Sequence, residues 1–139
     1  MDKKVEAGIN ELSKDKEKAK KEFEDKEVEI KQKIDTLKGK YGGTVTVGQI
    51  EKFFNRLELL WMCVKDYYNN IYTDIPWRTI AALIFALLYF VNPIDLIPDF
   101  LPIIGFVDDS TVLYLVWKAI EADLKKYVEW KKLPLADYF

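Results

Sequence analysis

Ile80-Ala-Ala-Leu-Ile-Phe-Ala-Leu-Leu-Tyr-Phe-Val91 decides the fold of this chain. The run has helix length, contains neither glycine nor proline, and has no polar face. A helix that is apolar all round must be covered all round. The uncharged stretch between Arg78 and Asp95 is 16 residues, short of the ~20 that cross a ~30 Å hydrocarbon core. Lys and Arg are sparse on both flanks, which weighs against insertion. The run therefore reads as a buried core helix or a re-entrant segment. The covers left open are the N-terminal helix, a second copy of the chain, and lipid.

Working outward, Pro76 belongs in the first turn of this helix, with Asp74 or Ile75 as its cap. Upstream, Ile50, Phe53, Phe54, Leu57, Leu60, Trp61, Val64, Tyr67, Tyr68 and Ile71 recur at i, i+3/i+4. That stripe predicts a core-facing helix opened by Thr46 and Gln49 and running to about Tyr72. An aromatic stripe at this spacing is core far more often than a cofactor box. Downstream, a last helix is expected from Asp108 or Asp109 to about Lys132. Its inward face would be Leu113, Val116, Trp117, Ile120, Leu124, Tyr127 and Trp130. The apolar end, Leu133-Pro-Leu-Ala-Asp-Tyr-Phe139, is expected to pack. No internal repeat and no strand-like alternation is present. The fold class is all-α: a small bundle of three core helices, preceded by a long charged N-terminal helix.

That N-terminal part, residues 1–40, holds 12 lysines and 11 acids with the signs interleaved, so it is not a polybasic arm. Glu17–Lys21, Glu22–Lys26, Glu27–Lys31 and Glu29–Lys33 stand at i, i+4 in the favourable orientation, each worth roughly 0.2–0.5 kcal/mol to a helix. Val5, Ile9, Leu12, Ala19, Phe23, Ile30 and Leu37 form a thin seam, with Lys16, Lys26 and Lys33 in its gaps. Such a coiled-coil-like helix either docks on the body, pairs with a copy of itself, or stays solvated. Gly39, Gly42 and Gly43 are expected to end it. The division is 1–40 charged helix, 41–46 Gly-rich linker, 47–139 helical domain.

Composition excludes several chemistries. The chain has 139 residues, a formal net charge of -2 and no histidine. No overall case exists for nucleic-acid binding, and histidine-based bases, triads and zinc sites are ruled out. Cys63 is the single cysteine, so no internal disulfide or cysteine metal site can form. The charged start does not read as a secretory signal. A reducing, cytoplasmic-side setting is expected, peripheral to or embedded at the inner face of a membrane if lipid is the cover.

After Val91 comes Asn92-Pro-Ile-Asp-Leu-Ile-Pro-Asp-Phe-Leu-Pro-Ile-Ile-Gly-Phe-Val-Asp-Asp109. Pro93, Pro98 and Pro102 forbid a continuous helix, and Gly105 permits a turn. The pattern Pro-x-Asp-x-Ile-Pro-Asp followed by Pro-x-x-Gly-x-x-Asp-Asp is carried by Pro93, Asp95, Ile97, Pro98, Asp99, Pro102, Gly105, Asp108 and Asp109. Together with the apolar helix ending in Tyr89, it resembles the YkvA-like family of bacteria. The resemblance covers residues 76–120. It implies a short helical hairpin, often read as membrane-associated, with no established reaction.

Asp95, Asp99, Asp108 and Asp109 crowd an apolar segment, and a buried carboxylate without partners costs several kcal/mol. Each is therefore solvated, capping, paired or cation-bound. The structural reading has Asp108 or Asp109 capping the last helix, Asp95 in an Asx turn, and Arg78 or Lys118 as ion-pair partners. The sharper reading is a hard-cation site for Mg²⁺, Ca²⁺ or Mn²⁺, although the Ca²⁺-loop spacing is absent. Paired-carboxylate catalysis lacks a nucleophile or phosphate loop to work with. No cofactor beyond such a cation and no small-molecule substrate is indicated. The expected function is a non-enzymatic interaction module acting through an apolar surface, by self-association or by binding a membrane or partner helix. The alternative is a divalent-cation-binding protein or metal-dependent enzyme using the four aspartates.

Overall fold

A computed structural model describes residues 3–41, 48–91 and 112–139. Among them are α1 (Lys3–Ser13), α2 (Lys16–Tyr41), α3 (Gly48–Tyr68), α4 (Trp77–Val91), α5 (Val112–Lys131) and a short 3₁₀ turn at Leu135–Asp137, with no strand. The all-α bundle expected from the sequence is the observed class.

The centre of the bundle is α4. Thr79 to Leu87, Tyr89 and Phe90 are all buried. The requirement for cover is met within the chain, because α1, α2, α3 and α5 all pack on this one helix. The N-terminal seam supplies half of it. Val5, Ile9, Ala19, Phe23 and Ile30 are buried as expected, joined by Ile34, which the thin rhythm did not single out. The charged N-terminal segment docks on the body.

It docks as two helices rather than one. The break falls at Lys14–Asp15. Asp15 Oδ1 accepts from the Lys18 amide at 3.1 Å, an N-cap that opens α2. On the other side, the Trp77 indole donates to the Ser13 carbonyl at 2.9 Å and satisfies an orphan acceptor at the end of α1. The elbow lets both helices follow α4. Gly8 makes the approach of α1 close: a Cβ built there would lie 2.9 Å from Phe85 Cδ2 and nearer still to Cε2.

Gly39 does not end α2, which continues to Tyr41. A Cβ at Gly39 meets nothing within 4 Å. Gly39→Ala is therefore expected to stabilise the protein by about 0.5–1 kcal/mol, through lower unfolded-chain entropy and better helix propensity. Chemical denaturation of the two proteins checks it.

Helix α3 stops at Tyr68, four residues before the expected end. Asn70 takes φ of 60°, the Ile71 amide donates to the Asp66 carbonyl at 2.8 Å, and the Asn70 amide donates to Tyr67 at 3.2 Å. This is a Schellman cap, with asparagine in the left-handed position that it tolerates better than most residues. Ile71 is consequently thrown off the core stripe and is 56% exposed. Lys132 closes α5 in the same way, with φ of 60° and a Leu133 amide donating to Val128 at 3.0 Å.

Two other expectations change. Helix α4 opens on the Pro76 carbonyl, which accepts from Thr79 and Ile80 at 3.0 and 3.2 Å. Neither Asp74 nor Ile75 is the cap, and Asp74 stands in solvent. On α5, Val116, Trp117, Ile120, Leu124 and Tyr127 are buried as expected, together with Val128, but Trp130 is 49% exposed. The Thr46 cap and the expected start of the last helix at Asp108 or Asp109 lie outside the described residues.

Helices α2 and α3 run antiparallel and are joined by charge across the interface. Lys31 Nζ sits 3.0 Å from Glu58 and 3.1 Å from Asp35, and Lys38 reaches Glu58 at 3.4 Å. Lys65 pairs with Glu27. Burial works against the Lys31 ammonium, but the hydrogen bonds to Glu58 and Asp35 outweigh it and raise its pKa. Lysines 31 and 65 also flank the Trp61 ring, at 5.4 and 5.3 Å from its centroid. Glu27 and Lys31, expected to pair along α2, bond instead to the neighbouring helix.

The apolar tail packs. Arg56 Nε donates to the Tyr138 carbonyl at 2.7 Å and its guanidinium lies 4.3 Å from the Trp117 ring centroid. Phe139 rests on Trp117 at 5.2 Å.

Candidate functional site

The four aspartates proposed as a cation site, Asp95, Asp99, Asp108 and Asp109, and the motif residues Pro93, Pro98, Pro102 and Gly105 lie outside the described residues. Among the described residues, no three His, Cys, Asp or Glu side chains are grouped so as to hold a metal ion. Of the two expected ion-pair partners, Arg78 donates to the Asn10 amide oxygen and Lys118 lies 3.8 Å from Glu121, a helical neighbour.

The structure does show how α4 delivers the chain to that segment. Lys33 crosses from α2 and donates to the Phe90 carbonyl at 2.7 Å, its ammonium 4.8 Å from the Phe90 ring centroid. A cation at a helix C-terminus satisfies an orphan carbonyl and opposes the negative end of the dipole. Burial lowers the Lys33 pKa, with Glu29 pulling weakly the other way. In the seam Lys33 looked like an interruption; it is the cap on α4.

This α4 end is where the comparisons with known proteins fall. A family model described as "Protein of unknown function (DUF1232)" matches residues 79–115, from the first turn of α4 into α5. The chain is also 33% identical, over 81 residues, to the "Uncharacterized membrane protein YkvA" of Bacillus subtilis (strain 168), covering 58% of this chain and 76% of that protein. The chain belongs to the YkvA-like, DUF1232 family. No solved structure matches it. In this YkvA-like protein the matched family segment includes most of the central helix, and α1 and α2 are outside the family model.

A second polar feature was not read from the sequence. Asp66, 9% exposed, lies between α3 and α5. Its Oδ2 accepts from the Tyr127 hydroxyl at 2.5 Å and from Lys131 Nζ at 2.7 Å. An acid in the last turn of a helix is disfavoured by the dipole; here Lys131 supplies the compensating charge. Burial, then the bond to Asp66, pushes the Tyr127 pKa strongly upward, so the hydroxyl stays a donor. Nearby Cys63 is buried and its thiol is pushed up to about 12, chiefly by burial and then by Asp66. A thiol in that state is a small apolar side chain, not a nucleophile. The neighbouring Thr79 hydroxyl donates to Asp123 at 2.6 Å, linking α4 to α5. The signal was present as Leu59–Cys63–Asp66, a second face of α3 at helical spacing. Asp66, Tyr127 and Thr79 are buried and hydrogen-bonded, which is the chemistry of a scaffold.

The third feature is an aromatic cluster at the end of the bundle where α1 and α3 finish and α4 begins. Tyr67, Tyr68 and Trp77 meet with ring centroids 5.5–6.5 Å apart. The Lys16 ammonium sits 5.3 Å from both the Tyr67 and Trp77 centroids, and Lys20 sits 5.6 Å from Tyr68. Tyr72, across the turn, contacts Tyr127 at 5.0 Å and Trp130 at 4.8 Å.

Proposed function

We propose that this protein is a non-enzymatic helical module acting at the cytoplasmic face of a membrane, with its most apolar helix held in store beneath a charged cover. The observation that carries this reading is the enclosure of α4. A helix without a charge from Thr79 to Val91 is shielded on one side by α1 and α2, whose outer faces are mostly Lys, Glu and Asp, with Val28 exposed among them. The YkvA relative is named a membrane protein. Among the described residues, no helix is long and apolar enough to cross a membrane. Surface association, with α4 becoming available when α1 lifts, accommodates both facts.

Co-flotation with phospholipid vesicles tests the reading. The wild-type chain is expected to float in part, and a Gly8→Leu variant, in which α1 is prised from Phe85, to float more. Light scattering on the same variant separates lipid from self-association as the fate of the uncovered face. If neither protein floats, the membrane reading is wrong.

A further inference from the structure

We propose that the end of the bundle built by the α3–α4 turn and the last turn of α5 docks on an anionic lipid bilayer. This rests on the membrane reading above but names a different surface from α4, one already exposed in the closed bundle. Two large apolar side chains stand out of the core there. Ile71 is exposed because the Asn70 cap turns it outward, and Trp130 because the α5 stripe ends before it. Tyr72, next to Ile71 in sequence, is buried with its ring 4.8 Å from that of Trp130.

The same end carries the half-buried Tyr67, Tyr68 and Trp77 cluster, so with exposed Trp130 four aromatic residues collect at one pole besides the buried Tyr72 and Tyr127. Trp and Tyr present an apolar body and a polar tip, the combination suited to the headgroup level of a bilayer. Lys16 and Lys20 hold their ammonium groups over these rings, 5.3–5.6 Å from the centroids.

Charge selects the occupant. The last stretch of α5 reads Lys125-Lys-Tyr-Val-Glu-Trp-Lys-Lys132. Lys131 is committed to Asp66. Lys125, Lys126 and Lys132 are exposed along the end of α5 and Arg78 in the first turn of α4, with Lys126 lying 4.0 Å from exposed Asp74 and with Glu129 also exposed. Cations are in excess around an apolar knob, which favours anionic headgroups over a neutral surface or an acid-poor partner.

Vesicles of phosphatidylglycerol and of phosphatidylcholine are the probes, with the full chain. Wild type is expected to partition at least about tenfold more strongly onto the anionic vesicles. Ile71→Ser with Trp130→Ser is expected to weaken that binding about tenfold. Ile71→Ser alone, at a site outside the core, provides the same test should loss of the Trp130 ring disturb Tyr72. Replacing Lys125, Lys126 and Lys132 with Glu is expected to abolish the anionic preference. The docking face is overturned if the Ser variants bind as wild type does, or if Trp130→Ser merely dissolves a dimer seen by light scattering. In either case, continued flotation of the Gly8→Leu variant leaves the stored-helix reading standing. Absence of binding by all variants removes both.

Discussion

Gly8→Leu is expected to destabilise the protein by about 2–3 kcal/mol, against the direction of helix propensity. Leucine is a better helix former than glycine by somewhat under 1 kcal/mol, so an uncommitted position would gain from the change. Gly8 is committed: its backbone lies against the buried Phe85 ring, and even a Cβ overlaps that ring. Forcing extra carbons into a packed interface costs roughly 1–3 kcal/mol or more. The cost has a ceiling, because α1 can leave. What α1 forfeits on leaving is chiefly the burial of Val5 and Ile9, about 1.5–3 kcal/mol each. The two penalties are comparable, so the variant should sit near the point where α1 detaches. Hydrogen exchange along α1 is then expected to accelerate far more than exchange in α3 or α5. Gly8→Ala is the milder probe, and combining it with Phe85→Leu should recover about 1 kcal/mol of its loss, a coupling that a double-mutant cycle reads directly. Unchanged exchange in α1 of Gly8→Leu would show that α1 does not depend on this contact. Gly39→Ala provides the opposite sign on the neighbouring helix, where nothing stands in the way.

The central helix was legible because its demand is local: a run of apolar residues without a polar face has one destination. The α3 stripe and the N-terminal seam were legible for the same reason, as periodicity in each segment alone. What went unread depends on partners distant in sequence. Asp15 caps α2, but in a segment where acids occur every few residues nothing separates a cap from a surface charge. The Trp77 bond that ends α1 joins residues 64 apart. Lys33 looked like a flaw in a hydrophobic seam because its partner is a backbone carbonyl of α4. Asn69-Asn70 was a stop signal of the ordinary kind, overridden by an aromatic stripe that continued across it in register; the left-handed cap at Asn70 decided the matter and exposed Ile71. The motif aspartates were the most conspicuous feature of the sequence, and they lie outside the described residues, so the site reading gained its structural content elsewhere, at the Lys33 cap and the aromatic pole.

Asp66→Ala is expected to cost about 3 kcal/mol, and the loss should exceed that of Tyr127→Phe by roughly twofold. The carboxylate is nearly fully buried and satisfies two donors through one oxygen. Removing it strands the Tyr127 hydroxyl in an interior where an unpaired donor costs about 1–3 kcal/mol, and leaves Lys131 without its counter-charge. Lys131 is about one-third exposed, so water recovers part of its solvation and the total falls below that of a fully buried pair. Tyr127→Phe deletes one donor and leaves the ion pair, a loss of about 1–1.5 kcal/mol. Asp66→Asn, which keeps the shape and one acceptor, is expected to fall between the two. The backbone of Asp66 separately anchors the α3 cap through Ile71 and Tyr72, and the side-chain substitutions leave that anchor intact. The cap should therefore persist in all three variants, with protection of the Ile71 amide retained until global unfolding. Were Asp66→Ala as stable as wild type, the Asp66–Tyr127–Lys131 cluster would have no share in holding α5 to α3, and the docking of α5 would rest on its apolar face, on the Thr79–Asp123 bond and on the Arg56–Trp117 contact.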